Sequence, residues 1–196
     1  MASQKFNKKH QQLLQTAKEL FWKHGFKRVT IEEICQKANV SKMTFYRHFD
    51  NKLAIAKAVF DMVAGDAVVA FKELMRRDIS PSEKIQGMIN MKLEGTHEIS
   101  KEFLEDFYGN PELGVSGYIE SKTLEMWTGI MDEFREAQRQ GWIRKGFKPE
   151  LMLLMTKKLI ELAGDQDAQK LYGSPQELVM EIVNMITYGI SPQMGR

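Results

Sequence analysis

The chain has 196 residues, enough for one domain or two small ones, and its 43% hydrophobic and 28% charged residues are ordinary for a globular protein. The single cysteine, Cys35, excludes an intramolecular disulfide framework, and the scattered His10, His24, His48 and His97 offer no zinc-ligand spacing, so neither metal nor cofactor is expected. The net charge of +2 hides an asymmetry: residues 1–53 carry eleven Lys and Arg against Glu19, Glu32, Glu33 and Asp50, net +7, which leaves the remainder at −5.

A basic first quarter is suited to a polyanion or forms a solvated surface, and charge alone leaves both readings open. The N-terminal MASQKFNKKHQQ lacks the apolar core of a signal peptide, and no run of about 18 apolar residues occurs. A cytoplasmic protein without membrane contact is the expectation.

The periodicity predicts helices throughout. The first spans about Asn7 to His24, with Leu13, Ala17, Leu20 and Phe21 on one stripe, Gly25 ending it and Phe26 packing back. Thr30-Ile31-Glu32-Glu33 is a capping box that starts a short second helix, whose buried face is Ile31, Ile34, Cys35 and Ala38. Cys35 reads as a packed core thiol. Asn39 tolerates the left-handed conformation of a tight turn. Ser41 caps a third helix running to about Phe49, so the spacing is that of a helix-turn-helix. Val40, Phe45 and Phe49 face inward, leaving Lys42, Met43, Thr44, Tyr46, Arg47 and His48 mostly outside.

A long fourth helix should run from Asp50-Asn51 to Arg77, with Gly65 at a possible bend. Lys52 in its first turn opposes the helix dipole, a placement that suits a phosphate docking there. Further helices are expected over Ser80–Ser100, Lys101–Tyr108, Tyr118–Gln140, Pro149–Leu171 and Pro175–Gly189, with a loop over Asn110–Gly117 and a turn over Gly141–Lys148.

The outward face of the third helix carries the function. Lys42 and Arg47 can donate to base edges or phosphates, and Thr44, Tyr46 and His48 suit phosphate oxygens. The stretch Leu14 to Leu53, LQTAKELFWKHGFKRVTIEEICQKANVSKMTFYRHFDNKL, resembles the DNA-binding domain of the tetracycline-repressor (TetR) family. Ala17, Leu20-Phe21, Gly25-Phe26, Thr30, Ile34, Ala38, Val40-Ser41, Thr44, Tyr46, Phe49 and Lys52 carry the resemblance. It implies phosphate contacts at Thr30, Tyr46, His48 and Lys52 and base contacts at Lys42, Met43 and Thr44, with Ser41 capping the reading helix and Arg47 at the margin. Ile31, Cys35, Asn39 and Met43 depart from the usual pattern, Met43 adding an apolar tip suited to a thymine methyl.

The rest of the chain is expected to be a ligand-binding and dimerisation domain. The fold class is therefore all-α: a three-helix helix-turn-helix domain over 1–52 and a larger helical domain over 53–196. Leu151, Met152, Met155, Leu159, Leu178, Ile182, Met185 and Ile186 make the last two helices apolar beyond one stripe, which predicts a homodimer interface. Family members dimerise through those helices. Met88, Met91, Phe103, Phe107, Tyr118, Met126, Trp127, Ile130 and Met131 either line an apolar effector pocket or form plain core. Glu94, Glu98, Glu102, Glu105 and Asp106 read as a solvated face or a cation-attracting one.

The function these residues imply is a non-enzymatic, ligand-responsive transcriptional regulator. It would repress as a homodimer on a near-palindromic double-stranded operator and be released by a small, largely apolar effector. The alternative is a helical adaptor that kept the fold and lost sequence-specific DNA binding. No catalytic motif argues for an enzyme.

Overall fold

The computed structural model describes residues 2–141 and 143–190, and among them every regular element is helical. In chain order these are α1 (Ala2–Arg28), α2 (Ile31–Lys37), α3 (Lys42–Tyr46), α4 (Lys52–Arg76), α5 (Pro81–Gly95) and α6 (Lys101–Phe107). A 3-10 turn over Pro111–Leu113 leads to α7 (Ser116–Gly129), α8 (Met131–Arg139), α9 (Glu150–Gly164), α10 (Gln166–Lys170) and α11 (Pro175–Ile190).

Short polar side chains set the starts. Asn51 Oδ1 accepts the Ala54 N–H at 2.9 Å, and Ser100 Oγ that of Phe103 at 3.0 Å. Ser80 and Glu83 form a full reciprocal capping box, with Pro81 in the first turn. At Thr30 only the threonine half of the expected box forms, its Oγ1 accepting the Glu33 N–H at 3.1 Å.

Two of the expected helices are each two helices. The Tyr118–Gln140 segment breaks at Ile130 (φ −113°, ψ 11°), after Gly129 and after Thr128, whose hydroxyl donates back to the Leu124 carbonyl at 2.9 Å. Ile130 is thereby turned into the core. The Pro149–Leu171 segment breaks at Asp165, whose carboxylate caps α10 by accepting the Ala168 N–H at 2.8 Å. The Ser80–Ser100 helix stops at Gly95. The expected 141–148 turn is present, with Trp142 outside the described residues.

Two apolar cores are strung along α4. The first joins α1, α2 and α3 to Ile55, Ala56 and Val59 of α4, to Phe103, Leu104 and Phe107 of α6, and to Val115 and Ile119. The second gathers Ile130, Phe134, Ala137, Ile143, Phe147, Met152 and Ile190 against Val68, Phe71 and Met75 of α4. Packing therefore runs straight across residue 52, the expected domain boundary. Where α6 ends against α9, backbones touch: a Cβ on Gly164 would stand 2.7 Å from the Gly109 nitrogen. Only glycine fits there, a requirement with no local sequence signature. Among the described residues no helix is long and apolar enough to cross a membrane.

Candidate nucleic-acid interface

The reading element is built from a tight corner. α2 ends at Ala38, Asn39 takes φ 53°, and the Val40 N–H returns to the Cys35 carbonyl at 3.0 Å. Asparagine tolerates that left-handed state better than most side chains. Ser41 Oγ then accepts the Thr44 N–H at 3.1 Å and starts α3, whose turns continue to Phe49 through 45-to-48 and 45-to-49 backbone bonds. Ile34, Cys35, Ala38, Phe45 and Phe49 face the core, and burial pushes the Cys35 thiol pKa up.

Of the outward residues, Met43 is 67% and Tyr46 54% exposed, and Arg47 is exposed beside them. Three others have local partners. Lys42 is ion-paired with Glu32 of α2, which raises the lysine pKa and lowers that of the glutamate. The Thr44 hydroxyl lies 3.0 Å from Ser41 Oγ. The His48 ring packs 5.3 Å from His10, and His10 stacks on Phe49 at 4.9 Å.

Glu32 is a residue that sequence reasoning left as a cap neighbour. Its position one helix away from Lys42 is the signal, because a short corner brings the two starts together. Replacing Glu32 by Gln frees the Lys42 ammonium. The expected result is tighter DNA binding and a log K against log salt slope steeper by about 0.9 if one phosphate contact is gained, read by anisotropy titrations at several salt concentrations.

Burial, with His10 and Lys9 as lesser causes, holds the His48 pKa below its ordinary value. A histidine that binds its proton less readily folded than unfolded destabilises the folded state in acid. Stability is therefore expected to fall as pH drops below about 6.5 and toward the lowered folded value, and a His48→Gln variant should flatten that fall in urea midpoints.

Lys52 has an internal role that the sequence reading did not supply. Its Nζ donates to the carbonyls of Phe26 at 2.8 Å, Val29 at 2.9 Å and Lys27 at 3.2 Å, and it sits 4.5 Å above the Phe26 ring. The ammonium caps the end of α1, where carbonyls lack helical partners. Burial pulls its pKa down, with Asp106 opposing. The first-turn lysine is thus explained without a phosphate.

The other expected sites are scattered. Phe103 and Phe107 stack at 4.6 Å inside the first core, and Ile130 and Met131 are buried. Trp127 lies against Phe134, and the Tyr118 hydroxyl donates to Asp61 at 2.7 Å. Met88, Met91 and Met126 are half-buried. None of these nine lines either of two open clefts. One, of about 520 Å³, lies between the end of α4, the start of α5 and α8, and includes Lys72, Met75, Arg76, Ile79 and Ala137. The other, of about 410 Å³, is bounded by Lys27, Glu105, Gly109, Asn110 and residues 164–167.

Of the expected dimer residues, Met152 and Leu178 are 2% and 3% exposed and belong to the subunit interior. Leu159 and Ile186 pack on the second core, and Ile182 is half-buried. Leu151, Met155 and Met185 remain exposed, joined by Leu154, Leu162 and Tyr188. Helical periodicity marked both faces of α9 and α11 as apolar without telling which face meets the core.

A capped short helix, a left-handed corner and a second short helix with an exposed apolar, aromatic and basic face define a helix-turn-helix DNA-binding protein. Residues 13–59 match the family described as bacterial regulatory proteins, tetR family. The chain is 23% identical to the HTH-type transcriptional regulator UidR of Escherichia coli K12 over 150 residues, 76% of this chain and 74% of UidR. It is 34% identical to the transposon Tn10 TetC protein of Escherichia coli over 82 residues, 41% of this chain and 42% of TetC.

In fold it is similar to a TetR-family regulator from Rhodococcus sp. (TM-score 0.68, 15% identity, 94% of this chain and 100% of that one). It is also similar to FadR from Bacillus subtilis, solved in complex with stearoyl-CoA (TM-score 0.64, 19% identity, 92% and 98% covered). The family match over residues 13–59, these relatives and the shared fold together support a TetR-type transcriptional regulator.

Proposed function

We propose that this chain is a cytoplasmic repressor that binds a near-palindromic operator as a homodimer and is released by a small-molecule effector. The observation that carries the DNA reading is the α3 face, where Met43, Tyr46 and Arg47 stand exposed behind a two-residue corner. Met43 would meet a thymine methyl, Arg47 a guanine edge or phosphate, and Tyr46 a phosphate. Thr30, Ser41, Thr44 and His48 flank that face, and Lys42 joins it when Glu32 lets go.

One such helix reads few base pairs. A twofold dimer places two on half-sites roughly 34–36 Å apart. The apolar ridge of Leu151, Leu154, Met155 and Leu162 on α9, with Met185 and Tyr188 on α11, supports that dimer. Leu154→Glu puts a charge at the most exposed point of the ridge, where Leu154 is 78% exposed. It should give a folded monomer in sedimentation velocity, whereas a dimer unchanged by Leu154→Glu would place the interface elsewhere.

The effector reading rests on the family and on the cleft at the far end of α4, where Met75, Ile79 and Ala137 lie beside charges of both signs, Lys72 being paired with Glu133 at 3.3 Å, so the cleft suits a molecule with an apolar and a polar part.

The deciding experiment is selection of bound duplexes from a random pool, followed by anisotropy titration of the enriched sequence against random DNA at several salt concentrations. A preference of at least about a thousandfold, with log K falling linearly with log salt, is the expected result. Equal weak binding to both duplexes would instead favour the adaptor.

A further inference from the structure

Asp106 is a buried carboxylate on α6, 5% exposed, and the DNA-binding face does not use it. Its partners all lie in α1, on the other side of the expected domain boundary. Oδ2 accepts the backbone N–H of Lys27 at 2.8 Å, and Oδ1 lies 3.4 Å from Lys27 Nζ. This contact is possible because α1 kinks at Gly25 (φ 74°, ψ 178°). A Cβ there would stand 2.7 Å from Asp106 Oδ2 and 2.8 Å from the Glu102 carbonyl oxygen.

The stretch 25–29 is held from its other side by Lys52, which takes the carbonyls of residues 26, 27 and 29. One residue later, Thr30 starts α2. The corner that aims the helix-turn-helix is thus gripped by an anion on its N–H side and a cation on its C=O side. The N-cap of α6 is further fixed to α1 by the Ser100 N–H on the Trp22 carbonyl at 2.9 Å, and the end of α5 by Trp22 Nε1 on the Gly95 carbonyl at 3.2 Å.

We propose that Asp106 is a positioning residue for operator recognition: it fixes the angle of the helix-turn-helix to the C-terminal domain, and so the separation of the two reading helices in the dimer. The proposal rests on the dimeric DNA-binding reading above. A carboxylate replaced by a methyl leaves the phosphate-facing side chains in place but lets the corner pivot. Affinity for DNA in general should then survive while the match to one half-site spacing is lost. A merely structural role predicts a different pattern, with all DNA binding falling in proportion to the folded fraction.

The test uses full-length protein with the duplex enriched by the wild type, the same duplex with one base pair added between half-sites, and random DNA. Wild type should lose tenfold or more on the lengthened duplex, about the cost of one mismatched base pair. Asp106→Ala should bind random DNA within about twofold of wild type, since those contacts are to phosphates. It should bind the enriched duplex about tenfold more weakly, with the two spacings now within about threefold of each other.

Asp106→Asn keeps an acceptor for the Lys27 N–H and should fall between the two, and the exposed Glu102→Gln should match wild type. Amide exchange gives a readout independent of DNA and of global stability: the Lys27 N–H should lose protection in Asp106→Ala while the Leu104 N–H of α6 keeps it. Wild-type spacing dependence retained in Asp106→Ala, or a loss equal on all three duplexes, overturns the proposal. A wild type that enriches no duplex, or ignores spacing, overturns the dimeric reading and the proposal with it.

Discussion

Phe107→Ala is expected to destabilise the protein by about 3–5 kcal/mol, a large part of the roughly 5–15 kcal/mol that holds a typical domain. The ring is 2% exposed and meets Phe103 at 4.6 Å, Phe21 at 5.8 Å and Phe26 at 6.1 Å. Two of those partners belong to α1, so the cavity opens at the seam between α6 and the helix-turn-helix. Removing the ring also removes offset and edge-on aromatic pairs, each about 0.5–1.5 kcal/mol beyond burial, though the sum is not additive.

Since the first core is continuous across residue 52, the loss should appear as one cooperative urea transition at lower midpoint, with helicity and DNA binding lost together. Two separated transitions, the DNA-binding part keeping its wild-type midpoint, would contradict a shared core. The same variant separates core from pocket: a pocket-lining Phe107 would change effector response at nearly unchanged stability.

The helix-turn-helix was legible because its signals are local. Caps at Thr30 and Ser41, the left-handed Asn39 and the inward Phe45 and Phe49 lie within a few residues of what they specify, and the structure has each of them. The helix breaks were less legible for a physical reason. Apolar periodicity runs through Gly129-Ile130 and through Gly164-Asp165 almost undisturbed, and a glycine followed by a capping residue was the only mark at the second.

Asp106 carried a signal that was misassigned. It follows Phe103 by three positions and precedes Phe107, so it lies on the stripe that α6 buries, and a carboxylate on an apolar stripe needs a partner. Grouping it with Glu94, Glu98, Glu102 and Glu105 as one acidic face hid that. The partner itself, a backbone N–H just past the kink at Gly25, is 79 residues away and is set only by tertiary packing. The same holds for the last helices, where Met152 and Leu178 pointed inward while Leu154 and Tyr188 pointed out.

Lys52→Met is the second variant with a large expected effect, and it decides between two accounts of one lysine. Methionine keeps most of the stem that covers Phe26 and removes only the ammonium. If the ammonium is a cap, three carbonyls at the end of α1 lose their donor, and the corner that feeds Thr30 loosens. Hydrogen bonds from a charged group are worth about 1.5–3 kcal/mol when buried, and this one is half-exposed, so a total loss of about 1–3 kcal/mol is expected.

DNA affinity should then weaken through the displaced corner, while the slope of log K against log salt stays at its wild-type value, because no phosphate contact is lost. If the ammonium instead neutralises a phosphate, stability should hold and the slope should become shallower by about 0.9. Arginine tests the cap a second way. Its planar fork cannot aim three donors at three carbonyls that converge on one point, so Lys52→Arg should recover little of the lost stability, whereas a phosphate contact would be kept or strengthened by it. Urea midpoints and salt-dependent titrations on Lys52→Met and Lys52→Arg therefore give opposite signs under the two accounts, and the three short bonds to residues 26, 27 and 29 favour the cap.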